Sequence, residues 1–273
     1  MKLRLQQWGI FWLAIFKEYY AKHYTYHASA LTFSSLLSII PIITICITIL
    51  SILPIYHTVT QQVENFVLSH FIVTSGQNIQ TYLHDIVDNA MHLSIWSILF
   101  LAVVAIQMIS TLEQTLNTIW DIKTSRNLFS AIILYSAILI SAPLLIGTGF
   151  IINSLLVAST ILHNFIPSIF FKTALSFIPL ILSVTTFTFI YITVPNYPVP
   201  LRSGLQAGTI AALLFEAAKT GFSFYITHIA DYQVVYGSLA AIPIFLLWIY
   251  ISWCIVLLGA LIAKCLTIDN SLG

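Results

Sequence analysis

Three ionisable side chains stand in stretches that otherwise carry no charge: Glu113, Glu216 and Lys219. If those stretches cross a bilayer, each such group costs about 2.5 to 3.5 kcal/mol to insert, so each needs a partner or a water-filled cavity. Asn117 follows Glu113 by one turn and shares its helical face. Glu216 and Lys219 are spaced i, i+3, close enough to pair. Glu113, Asn117, Glu216 and Lys219 therefore form a candidate intramembrane polar site. The plainer alternative is that Glu216 and Lys219 merely neutralise each other while Glu113 reaches the lipid headgroups.

Other chemistries find weaker footing. Of the eight histidines, His23 and His27 have the i, i+4 spacing of two metal ligands on one helical face, but no third ligand accompanies them and no Glu follows the first His as in H-E-x-x-H. Cys46, Cys254 and Cys265 lie in or beside apolar runs without C-x-x-C spacing and read as small hydrophobes. Neither a G-x-S-x-G elbow nor a phosphate-binding G-x-x-x-x-G-K-[ST] loop occurs. The nine acids are scattered: Asp85 and Asp88 are the closest outward pair, and Asp121 has Lys123 and Arg126 as sequence neighbours. A formal net charge of +1 lacks the basic face that neutralises phosphates. The sequence thus predicts no metal, no cofactor, no nucleic-acid partner and no enzyme, a ribonuclease included.

The elements that must position these residues are membrane helices. The chain is 59% hydrophobic and 7% charged, with mean hydropathy +0.97, whereas soluble domains carry about 25% charged residues. Uncharged runs predict six spans: Ala28 to Leu53, Leu93 to about Leu116, Leu128 to Leu162, Thr173 to Val194, Ser203 to about His228, and Leu239 to Lys264. Residues 1–27 mix Trp8, Phe11, Trp12 and Phe16 with Lys2, Arg4 and Lys17, which predicts an interfacial helix rather than a cleaved leader. Residues 55–92 hold Glu64, Asp85 and Asp88 and break at Ser75-Gly76, which predicts an amphipathic helical hairpin outside the bilayer. No linker divides residues 1–273, so one all-α integral membrane domain is expected. Lys2, Arg4, Lys17, Lys22, Lys123, Arg126, Arg202 and Lys264 fall on one side against Lys172 on the other, which places both termini in the cytoplasm.

Prolines fall in four of these spans, Pro41, Pro143, Pro179 and Pro243, as candidate hinges or as packing kinks. Gly204-x-x-x-Gly208 opens the fifth span with a spacing that permits close helix contact. Leu37-Ser-Ile-Ile-Pro41 echoes Leu175-Ser-Phe-Ile-Pro179, either by chance or as inverted halves.

Four segments taken in order, ALTFSSLLSIIPI from Ala30, LNTIWDI from Leu116, VPNYPVPLRSG from Val194 and YQVVYGSLAAIPIFLLWIYISWCIVLLGA from Tyr232, resemble the YihY/BrkB membrane proteins over nearly the whole chain. The resemblance implies a bacterial inner-membrane protein of six helices, its role unsettled between transport or lipid handling and envelope resistance. An older ribonuclease label on such proteins agrees poorly with the missing basic face. By resemblance, Asn117, Trp120, Pro195, Asn196, Arg202, Tyr232, Tyr236, Gly237, Pro243 and Trp248 fall on family motif positions. Asn196 and Arg202 would stand at an inner mouth, and Asp231, Tyr232 and Tyr236 at an outer one. The function expected is a transporter or flippase-like protein for a lipid or other amphiphilic or anionic envelope component. The alternative is a non-transporting scaffold or regulator of envelope assembly. Membrane lipid is the expected partner, with a homo-oligomer possible.

Overall fold

The computed structural model describes residues 2–51, 95–123, 126–127, 129–138, 140, 177–228 and 241–272. The 55–92 hairpin, Pro143, Asp231, Tyr232, Tyr236 and Gly237 lie outside them. Seven helices are described: α1 Lys2–Ala21, α2 Tyr24–Ser51, α3 Ile95–Ile119, α4 Phe129–Ile138, α5 Ile178–Thr193, α6 Leu201–His228 and α7 Ala241–Leu272. Within α3 and α7, Leu99–Ile119 and Ile242–Ile268 are long and apolar enough to cross a membrane. α6 has the length, but its polar residues keep it out of that class.

α7 is the element around which the others pack, touching α1, α2, α3, α5 and α6. From Ile255 to Ala263 it is buried on nearly every side, because Gly259, Ala260 and Ala263 let neighbours come close. Ile242 is exposed, and from Pro243 to Cys254 the helix is half-buried. The main core, with Leu31, Leu116, Ile119, Tyr191, Ala207, Ala211 and Leu261, sits at the end of the bundle where α1 and α2 meet, α3 ends, and α5 turns into α6. Large apolar side chains such as Trp96 (77% exposed), Phe100, Phe129 and Phe224 cover the outside, a surface that a water-soluble protein rarely presents.

α5 and α6 pack through Gly204 and Gly208. A Cβ on Gly204 would stand 2.5 Å from the Ile192 side chain, and one on Gly208 would meet the Thr188 hydroxyl and, at 2.9 Å, its backbone nitrogen. A Cβ on Gly259 would strike the buried Tyr191 ring and hydroxyl.

Three elements differ from the sequence reading. The N-terminal helix ends at Ala21, and His23 takes a left-handed φ of 54° before α2 starts at Tyr24; residues 24–27 therefore extend the next helix. His23 and His27 consequently do not lie on one helix face, and the two-ligand pattern dissolves. Pro179 occupies the first turn of α5, where a missing N–H breaks no ladder bond, and Pro243 is the third described residue of α7. Pro41 alone stands inside a described helix.

Candidate functional site

Two turns build the core end of the bundle. α3 closes with Ile122 N–H donating to Asn117 O (2.9 Å) and Asp121 N–H to Thr118 O (3.2 Å), the paired bonds of a left-handed helix stop. Asp121 fills the left-handed position, at φ 55°, where glycine is the usual residue because other side chains are strained there. α1 stops in a related way, with His23 N–H donating to Tyr20 O (3.1 Å). The two turns bring Lys22 against Asp121.

Asp121 carries a double ion pair: Lys22 Nζ is 2.9 Å from Oδ1 and Lys264 Nζ is 2.6 Å from Oδ2. Glu18 Oε1 stands 3.5 Å from both ammonium groups. Hydrogen bonds from Lys264 and then Lys22 hold the Asp121 carboxyl below its ordinary range, and Asp121 in turn raises Lys22. Asp121 is 62% exposed while Lys264 is only 12% exposed, so the network ties a surface turn to the packed end of α7. Its partners are thus Lys22 and Lys264, in place of the neighbouring Lys123 and Arg126.

Arg126 instead folds back onto α3. Its Nε lies 3.4 Å from Glu113 Oε1, and its guanidinium donates to the carbonyls of Val194 (3.4 Å) and Pro195 (3.3 Å). Glu113 is 3% exposed, which corrects the headgroup-reaching alternative: its partners are protein groups. Asn117 Nδ2 donates to the same Oε1 at 3.4 Å, and Asn117 Oδ1 accepts from Asn196 N–H at 2.8 Å. Trp120 stacks on Tyr197 at 4.7 Å and 20°. The LNTIWDI and VPNYPVPLRSG segments, far apart in sequence, therefore form one junction. Glu113 Oε2 and Trp120 Nε1 are buried there without a hydrogen-bond partner among the described residues, and the Tyr135 hydroxyl on α4 lies within electrostatic reach of Glu113.

Glu216 and Lys219 stand apart from this junction. Lys219 Nζ is 2.7 Å from Glu216 Oε1, an oxygen shielded from solvent and outside good hydrogen-bond alignment, and the Lys219 and Glu216 side chains as a whole are 42% and 35% exposed on α6. Lys219 lies 5.6 Å from the Phe215 ring centre, within cation–π range. Trp248 on α7 packs on Phe215 and Phe222 at 5.4 and 5.1 Å. The four polar residues singled out from the sequence thus form two sites, one buried and one on the outer face. Arg202 is exposed on the first turn of α6, on the side where Asn196 joins Asn117. Sequence reasoning missed the i, i+4 pair of Glu18 and Lys22, and it missed the partnerships of Asp121, Arg126 and Lys264 because an ion pair across the bundle leaves no local spacing.

A family model described as "Virulence factor BrkB" matches residues 15–271. Relatives named UPF0761 membrane protein include one of Azotobacter vinelandii, 38% identical over 92% of this chain and 61% of its own length, and one of Pseudomonas aeruginosa, 39% identical over 86% and 57%. A third, of Pseudoalteromonas atlantica, is 39% identical over 86% of this chain and 79% of its own. The chain spans about three-fifths of the length of the first two. No solved structure matches it.

Proposed function

Since the chain belongs to the virulence factor BrkB family of membrane proteins, we propose that it handles a lipid or another amphiphilic or anionic envelope component, as a transporter or flippase-like protein. The observation that carries this reading is the Glu216–Lys219 pair, held on the outer face of α6 rather than in the core. Charges facing hydrocarbon are costly, so water or headgroups must reach them, and an amphiphile entering sideways would bring its polar end there with its chains still in lipid.

The reading includes six spans in a bacterial inner membrane, both termini and residues 117–127 inside, and residues 57–92 outside. Lys22, Lys123, Arg202 and Lys264 then lie near the anionic inner headgroups. It excludes nuclease action, which needs clustered carboxylates holding metal, or paired acid and base groups, in a wet basic groove. Glu18 and Asp121, at the core end, are instead paired with Lys22 and Lys264.

The test is an envelope-sensitivity assay of Glu216→Gln and of the double variant with Lys219→Met. A folded but inactive double variant supports the reading; full activity of the double variant removes both residues from the mechanism. The encased stretch Ile255 to Ala263 is the observation that favours the rival, a scaffold without transport. A scaffold would keep its activity in both variants.

A further inference from the structure

α6 is two-faced in an unusual sense. Its small residues, Gly204, Ala207, Gly208, Ala211 and Ala212, are buried against α5 and α7. Its polar residues face outward in two interleaved rows: Arg202, Thr209, Glu216 and Ser223 recur every seven residues, and so do Gln206, Leu213 and Thr220. A seven-residue step returns within about 20° of the same direction on a helix, so both rows share one side. All seven are exposed or half-exposed, and Leu213 is the single apolar rung. From Arg202 to Ser223 the rise at 1.5 Å per residue is about 31 Å, which matches a hydrocarbon core of about 30 Å.

The hydroxyls of Thr209 and Thr220 donate to Leu205 O and Glu216 O at 2.8 and 3.1 Å. Their lone pairs stay available on the outer face. A polar stripe that crosses the full thickness is more than an anchor at one interface. A second copy fits it poorly, because a two-fold axis along the membrane normal sets each residue near its own copy. Arg202 would then meet Arg202 and Glu216 would meet Glu216.

Resting on the transport reading above, we propose that this face of α6 is the track along which a phospholipid headgroup crosses, and that the headgroup is zwitterionic, with one phosphate and one ammonium. Roughly two-thirds of the way from Arg202 to Ser223, the helix offers one charge of each sign, side by side: Lys219 for the phosphate and Glu216 for the ammonium. A purely anionic headgroup would satisfy Lys219 and be repelled by Glu216.

The experiment reconstitutes the full chain in vesicles of phosphatidylethanolamine and phosphatidylglycerol, each lipid traced in turn by a fluorophore on its acyl chain. Outer-leaflet quenching then reads how fast the tracer crosses. The ethanolamine lipid is expected to cross faster than the glycerol lipid. Lys219→Met should slow it about tenfold, the worth of one charge-assisted hydrogen bond. Gln206→Leu with Thr209→Leu leaves the charge pair intact and should slow it as well, which guards against a Lys219 variant that fails to fold. Equal rates for the two lipids, or an unchanged rate in the Gln206/Thr209 variant, overturn the α6 track while leaving transport standing. Disulfide capture between Thr209→Cys copies would assign the face to self-association and overturn it too. If the folded wild-type chain moves neither lipid, the transport reading itself fails and takes the track with it.

Discussion

Glu113 and Glu216 look alike in the sequence, each a lone carboxylate in an apolar run, and the structure treats them oppositely. Glu113 is buried, shares Oε1 between Arg126 and Asn117, and through them reaches the loop between α5 and α6. Glu216 keeps a neighbour from its own helix and stays half-exposed. One carboxylate joins three parts of the chain; the other serves a single helix face. A charge that fastens elements together has its cost in folding, and a charge that faces outward is available to a ligand.

Removing Glu113 should have the largest effect. Glu113→Ala leaves Arg126 without its acid in a mostly buried site, and breaking such a pair costs about 3–5 kcal/mol. Thermal unfolding in detergent should show it, with part of the loss recovered in Glu113→Gln/Arg126→Met. Equal stability of Glu113→Ala and wild type would erase the contrast. Next comes Gly208→Leu, which forces a side chain into the Thr188 backbone and should cost at least about 1–3 kcal/mol, the range of overpacked cores. Gly221, which has open space around it, is the control: Gly221→Ala should be neutral or stabilise by roughly 0.5–1 kcal/mol.

Glu216→Gln should lower stability by no more than about 1 kcal/mol, as for an exposed pair, yet abolish function. Cysteines placed at Ser75 and Ser125 in a chain whose native cysteines are replaced give the orientation. An impermeant thiol reagent on intact cells should label position 75 and spare 125. The smallest effect belongs to Asp121. Its folded carboxyl titrates below the ordinary 3.8, so its contribution is complete above that value and fades as pH falls through the lower folded one. Asp121→Asn should flatten the stability curve in that acid window, where wild type should still be falling.

The legible parts of the fold were those written in short-range spacing. The i, i+3 step from Glu216 to Lys219 fixes their proximity whatever surrounds α6, and the four-residue step from Gly204 to Gly208 announces a close neighbour without saying which. The junction at Glu113 was hidden, because it depends on the connector after Asp121 folding Arg126 back across 13 positions of sequence. His23 misled for the converse reason: periodicity assumes an unbroken helix, and a left-handed residue resets the phase. Pro179 misled because a proline in an apolar run reads the same at a helix start as at its middle.

The uneven burial of α7 has a mechanical consequence. Gripped by its neighbours from Ile255 to Ala263 and only half-buried from Pro243 to Cys254, the helix is a beam clamped in its C-terminal half. A small tilt at the clamp is magnified along the free arm, about 20 Å long at 1.5 Å per residue, and arrives largest beside Pro243. Trp253, whose Nε1 donates to Ser35 Oγ at 2.9 Å, and Cys254, whose carbonyl accepts from Tyr19 Oη at 3.3 Å, sit where the arm leaves the clamp and tie it there to α2 and α1.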